Sequence, residues 1–212
     1  MPPKTPRKPE RPVFWIVGGP NGSGKSTLYN LTSLEGWGGS VWIINSDLLT
    51  ATIVEQERLP LAEANLTAVQ RVERWLDASI AAYQTIGVET VLSSPKYRRL
   101  VHDAHERGFE VRLIYVLLDT LDLQLARIRR RVGEGGHDVP AEKVGVRRAR
   151  SFEQLAWFAR HVDKCFVFNN SSGDPELAAV SIERGPFWQF DKLPADFLKV
   201  LSDSRLELRD RR

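Results

Sequence analysis

The chain has 212 residues, of which 42% are hydrophobic, enough for one domain with a full core. Its 30 lysines and arginines against 27 aspartates and glutamates leave a net charge of +3, too mild an excess to signal nucleic-acid binding. The single cysteine, Cys165, excludes an intrachain disulfide framework, and the longest apolar runs, such as 13–17 and 113–118, fall short of the ~20 residues of a membrane-crossing helix.

Residues 1–11 are basic and Pro-rich and lack an apolar core segment. They read as a disordered arm rather than a secretory signal, and the expected compartment is the cytosol. "VFWIV" (13–17) is a continuous apolar run ending at Gly18-Gly19, the pattern of a strand buried on both faces of a parallel sheet. A helix is predicted from Gly24-Lys25 through Leu28 and Leu31, and a second strand at 41–45. Between 61 and 86, Val69, Val72, Leu76, Ile80 and Tyr83 recur at three- and four-residue spacing, which predicts a long amphipathic helix closed by Gly87.

A third strand is predicted at 88–93, a short helix over 95–107 stopped by Gly108, and a fourth strand at 111–118. The helix over 119–131 is capped by Asp119 or Thr120. A Gly-rich break at 132–140 separates it from a helix over 141–160. A fifth strand spans 165–169, with Cys165 expected to be buried as a small hydrophobe. Residues 176–185 suggest a sixth strand, and the charged end of the chain is expected to fray.

The segment Gly19-Pro20-Asn21-Gly22-Ser23-Gly24-Lys25-Ser26, followed by Thr27, fits G-x-x-x-x-G-K-[ST] at every fixed position. Glycines there let backbone N–H groups turn inward around a β-phosphate, and the helix that begins there adds its positive end. Lys25 is placed to reach the β- and γ-phosphates, and Ser26 offers a hydroxyl to Mg²⁺. A buried strand before and a helix after complete the context, so ATP or GTP with Mg²⁺ is expected. The fold predicted is a three-layer α/β P-loop nucleoside triphosphate hydrolase fold. Its mostly parallel sheet has five or six strands, and a helical lid covers about 127–150. The domain is placed at 12–200, with a charged tail at 201–212. Ligands should gather beyond the C-terminal ends of the strands.

Asp47 follows the second strand by two residues. It serves either as general base for an acceptor hydroxyl or, with Asn45 and Ser46, as a helix cap. Glu89 lies inside the third strand, where a charge needs a partner or solvent. It is either a contact to substrate or magnesium or an exposed edge residue. Ser93 and Lys96, beyond that strand, are candidates for gripping a substrate. Asp119 ends an apolar run like a Walker B aspartate, although a helix cap explains it as well. The region 127–150 holds eight basic residues around its Gly-rich break, with Arg127 and Arg131 one turn apart. A lid of this kind can aim guanidinium groups at a γ-phosphate. The expected catalytic pair is Arg131 and Arg147, with Arg148 as the alternative to Arg147. His137, in the break, is read as fixing the loop rather than as a switch.

The motifs "GPNGSGKSTL", "INSDLL", "ETVLSS", "VRLIYVLLDTLDLQLARIRRRV", "GGHDVP" and "CFVFNNSSGDPELAAV" occur in this order over about 13–180. Together they are similar to the zeta toxin-like kinase family, in its compact branch. The resemblance implies a nucleotide-kinase-like core and transfer of the ATP γ-phosphate to a small-molecule hydroxyl. In the best-known toxins the acceptor is UDP-N-acetylglucosamine, and an antitoxin protein holds the enzyme inactive. It places the phosphate-loop lysine on Lys25, the catalytic aspartate on Asp47, the arginine pair on Arg131 and Arg147, and the strand glutamate near the sugar nucleotide on Glu89. The competing readings are a polynucleotide or RNA-end kinase and a P-loop ATPase without a small-molecule acceptor. The ATPase of transporter type calls for an L-S-G-G-Q signature that the chain lacks. The nucleic-acid enzyme calls for a basic track with interleaved aromatics, whereas here the basic residues bracket a lid.

Overall fold

The computed structural model describes residues 11–31, 41–134 and 139–210, with the side chains of 29–31 left aside. Residues 1–10 of the basic arm and His137 lie outside the described residues. The elements in chain order are β1 (Val13–Gly18), α1 (Lys25–Leu31), β2 (Ile43–Asn45), α2 (Ser46–Glu57), α3 (Leu61–Ala81), β3 (Ile86–Thr90), α4 (Arg98–Glu106) and β4 (Glu110–Leu117). They continue with α5 (Leu121–Gly133), α6 (Ala141–His161), β5 (Lys164–Asn169), β6 (Glu176–Ile182), β7 (Phe187–Gln189), α7 (Ala195–Asp203) and β8 (Leu208–Asp210).

One sheet runs in the order β2-β3-β1-β4-β5-β6-β7-β8. The first five strands are parallel throughout. β6 and β7 each pair antiparallel to the strand before them, and β8 pairs parallel to β7. The apolar run of β1 is buried along its whole length because helices cover both faces of the parallel part. Phe14 and Ile16 join the larger core, with Val72 and Leu76 of α3 and Phe152 and Phe158 of α6. Val13 and Trp15 point the other way, toward Leu28 of α1. This alternation is the two-residue period of a strand. Cys165 is fully buried in the larger core, and burial pushes its thiol well above the ordinary range.

The α/β class and the mostly parallel sheet match the sequence reading, while the sheet is wider than five or six strands. β7 and β8 are three residues each, too short for a periodic signal, and the expected frayed tail supplies β8. Helix α7 was also missed. Its Phe197 and Leu201 are buried, but only nine residues carry the pattern. The long amphipathic helix is shorter than expected. It ends at Ala81, Tyr83 takes a left-handed turn at φ 58°, and β3 begins at Ile86. Gly87 therefore lies in a strand rather than at a helix end. A Cβ on it would sit 2.2 Å from Ile43 Cδ1, so its role is close packing between β3 and β2. β3 also ends three residues earlier than predicted, which leaves Ser93 in the loop that follows.

Candidate functional site

β1 ends at Gly18, and the chain then turns through Gly19 at φ 142°, Gly22 at 74° and Gly24 at 90° before α1 begins at Lys25. These angles favour glycine, and at two positions space forbids anything larger as well. A Cβ on Gly19 would fall 2.2 Å from the Val116 carbonyl oxygen, and one on Gly24 would fall 2.1 Å from Asn170 Nδ2. Asn170 follows β5 and donates from that Nδ2 to the Ser23 carbonyl at 2.8 Å, so the end of β5 clamps the loop. Arg127 of α5 holds the clamp in turn, donating to the carbonyls of Asn170 at 2.7 Å and Ser171 at 3.3 Å.

The Lys25 side chain is buried and donates to the carbonyls of Gly19 at 2.9 Å and Pro20 at 3.1 Å. Burial pulls its pKa below the usual lysine value. The carboxylates of Glu89 and Asp47 work against that shift, and Arg131 adds to it. Glu89 stands 4.0 Å from the ammonium. Its Oε2 accepts from Ser26 Oγ at 2.8 Å and from Asn45 Nδ2 at 2.8 Å. With a side chain only 12% exposed it is no edge residue; it is the centre of a row that joins the glycine loop to the start of α2. Asn45 completes the row as the cap of α2, its Oδ1 accepting from the backbone N–H of Asp47 at 2.8 Å and of Leu48 at 3.3 Å. The cap is Asn45, which leaves the Asp47 carboxylate free of that duty.

A cleft of about 500 Å³ opens over this loop. Gly22, Gly24, Lys25, Ser26, Thr27 and Glu89 line one side, and Arg127, Arg130, Arg131 and Glu134 of α5 and its end line the other. The structure thus brings the glycine loop, Glu89 and Arg131 together. Asp47 lines a separate cavity of about 310 Å³ between α2 and α3, close enough to the cleft for its charge to act on Lys25.

Other expectations place differently. Arg148 is 4% exposed and cannot stand in for Arg147: its guanidinium donates to both carboxylate oxygens of Asp196 on α7, at 2.7 and 3.2 Å, and to the Leu118 carbonyl at 2.8 Å. Arg147, half-buried on α6, is not among the residues lining the cleft. Neither are Ser93 and Lys96; Lys96 turns to Glu73 of α3 at 3.6 Å. Asp119 accepts from Asn169 Nδ2 at 2.8 Å and so ties β4 to β5, while Thr120 caps α5 by accepting from the Leu123 N–H. The sequence reading saw Asn45 only as a candidate helix cap, not as a partner of Glu89, and missed Asn170. Each is an asparagine just at or past a strand's C-terminal end, where open α/β sheets place ligand contacts, and that position was the available signal.

A glycine-rich loop between a buried parallel strand and a helix, with lysine and serine at the helix start, defines a P-loop phosphate-binding protein with a kinase-like fold. The family model described as an AAA domain matches residues 14–155, and the chain belongs to that family. An uncharacterized protein of Haemophilus influenzae is 33% identical over 134 residues, which cover 61% of this chain and 87% of that protein. The solved structure of the PezAT chromosomal toxin–antitoxin system of Streptococcus pneumoniae aligns over 93% of this chain and 79% of its own, with TM-score 0.62 and 16% identity. The AvrRxo1-ORF1:-ORF2 structure with ATP aligns over 93% of this chain and 65% of its own, with TM-score 0.64 and 18% identity. At such identities the likeness is one of fold, and at that level it agrees with the resemblance to zeta toxin-like kinases. No described helix is long and apolar enough to cross a membrane.

Proposed function

We propose that the protein is a kinase that transfers the γ-phosphate of ATP to a hydroxyl of a small molecule. The observation that carries this reading is the hydrogen-bonded row Ser26–Glu89–Asn45, which runs from the phosphate loop to the helix start bearing Asp47. A nucleotide-hydrolysing motor needs only the loop end of such a row. A kinase needs a carboxylate at the far end, facing a second cavity.

In this reading the backbone N–H groups of 19–26 and the α1 N-terminus hold the β-phosphate. Lys25, already desolvated, exchanges its bonds to the Gly19 and Pro20 carbonyls for bonds to phosphate oxygens. Arg131, with Arg127 one turn away, faces the charge that spreads over the transferred group, and so takes the role the sequence suggested for Arg131 and Arg147. Asp47 accepts the proton of the acceptor hydroxyl. The Ser26 hydroxyl and the Glu89 carboxylate are two adjacent hard oxygen donors, which fits an Mg²⁺ held mainly by substrate phosphates and water. Bound there, the ion would neutralise phosphate charge.

The sugar nucleotide implied by the resemblance, UDP-N-acetylglucosamine, is one candidate acceptor. A protein antitoxin is proposed as a partner on the same resemblance, supported by the PezAT match. The test is Asp47→Asn. It should bind ATP as the wild type does, in a fluorescent-nucleotide titration, and lose at least ~100-fold in transfer to the acceptor. Full activity in that variant would remove the reading.

A further inference from the structure

We propose that the cavity between α2 and α3 is the acceptor pocket, and that it takes a small hydroxyl compound carrying an amine and no phosphate. The inference rests on the kinase reading and concerns its unnamed half.

Position comes first. Asp47 is a wall of this cavity, and the hydrogen-bonded row Asn45–Glu89–Ser26, with Glu89 4.0 Å from the Lys25 ammonium, joins the start of its helix to the donor loop. The volume, about 310 Å³, lies at the small end of the range for ligand pockets.

The walls then fix the chemistry. Asp47, Ala51 and Glu55 stand at successive i+4 positions along α2 and form one stripe. Val54 and, from α3, Leu61 and Asn65 face the same space. Among the described residues no lysine or arginine lines it. Arg71 of α3 is engaged with Glu57 at the end of α2. The donor cleft is the reverse, with Lys25, Arg127, Arg130 and Arg131 against Glu89 and Glu134. A phosphate on the acceptor would enter beside two carboxylates with no counter-charge. An ammonium would meet Glu55, while apolar carbon rests on Val54 and Leu61.

The transfer balances without a further reactant. The acceptor oxygen bonds to the γ-phosphorus as the bond from that phosphorus to the β–γ bridging oxygen breaks. ADP leaves with the electron pair, and the hydroxyl proton passes to Asp47.

The experiment offers the full chain ATP, Mg²⁺ and three sets of acceptors, read by mass spectrometry and steady-state kinetics. The sets are amine-bearing (ethanolamine, serinol, glucosamine), neutral (glycerol, glucose) and phosphate-bearing (UDP-N-acetylglucosamine, a 5′-hydroxyl RNA oligonucleotide). Phosphate gain is expected on an amine-bearing compound, with KM at least ~10-fold below any neutral one. Glu55→Gln should raise that KM about fivefold with kcat little changed, as for loss of one exposed charge contact. Glu55 is exposed, so the variant should fold. Transfer to the sugar nucleotide or the RNA end in preference to the amines overturns the proposal and leaves the kinase reading standing. So does an acceptor KM untouched by Glu55→Gln. ATP consumed with phosphate gained by none of the three sets overturns both.

Discussion

Lys25 carries an opposition that can be measured. Burial works against its charge, two carboxylates sustain it, and two backbone carbonyls accept hydrogen bonds from it. In the folded state its pKa is lowered, so the folded chain binds fewer protons than the unfolded chain between that value and the ordinary lysine value of ~10.4. Its contribution to stability is therefore unfavourable at neutral pH and fades as pH rises through that window. Lys25→Met should leave the nucleotide-free protein at least as stable as the wild type at pH 7, with the gap closing toward pH ~10, in urea titrations. The same variant should lose the ATP-induced rise in melting temperature. Arg131→Ala should lower kcat at least ~10-fold while shifting ATP affinity less; an affinity loss alone would make Arg131 a positioning residue. At this scale the glycine loop was fully legible, because each of its residues is fixed by local backbone need. Glu89 was legible only as an anomaly, a charge in an apolar strand. Its partners, Ser26 and Asn45, come from segments 63 and 44 residues away, and no local pattern encodes such a pairing.

At the scale of elements, the junctions depend on a few polar side chains. Arg148 joins α6 to α7 and to the end of β4, where the sequence offered only one more arginine in a basic run. That run looked like a catalytic lid because burial is invisible until α7 is known to pack there, and α7 was too short to be seen. Arg148→Ala should cost about 2 kcal/mol, since Asp196 stays half-exposed and regains water. A fall of ~4–8 °C in melting temperature would match that cost. Glu110 performs a similar service for β4 and β5, paired with Arg112 at 2.8 Å and Lys164 at 2.8 Å. The hydrogen bond from Arg112 leads in holding its carboxyl down to about 2. The stability it supplies is present above the ordinary carboxyl value of 4.5 and is lost as pH falls toward about 2. Glu110→Gln should cost about 1–2 kcal/mol at pH 7, after allowance for solvent screening, and the gap to wild type should close by pH ~2. Buried Tyr115 shows how α6 is set against the sheet. Its hydroxyl donates to Ser151 Oγ at 2.8 Å, and Ser151 donates on to the Val91 carbonyl at 2.7 Å, so the loop after β3 and the lid helix share one anchor.

For the molecule as a whole, the parallel half of the sheet carries the phosphate loop and Asp47, and the remaining strands extend the framework on the far side of β5. A ligand held by so many fixed groups should report itself globally. ATP at ~100 times its dissociation constant should add about 2.7 kcal/mol of stability, a rise of ~5–11 °C in a thermal-shift measurement. The broad architecture was readable because strand runs of five or more apolar residues and long amphipathic helices repeat along the chain. The three-residue strands β7 and β8 were not, and of the strand predicted at 41–45 only Ile43–Asn45 forms. Among the described residues, β2 at one end and β8 at the other are the borders of the sheet. A border strand with few open N–H and C=O groups is a poor template for another chain. Among the described residues the sheet thus ends on both sides in segments too brief to recruit copies of itself, a guard against fibre-like association.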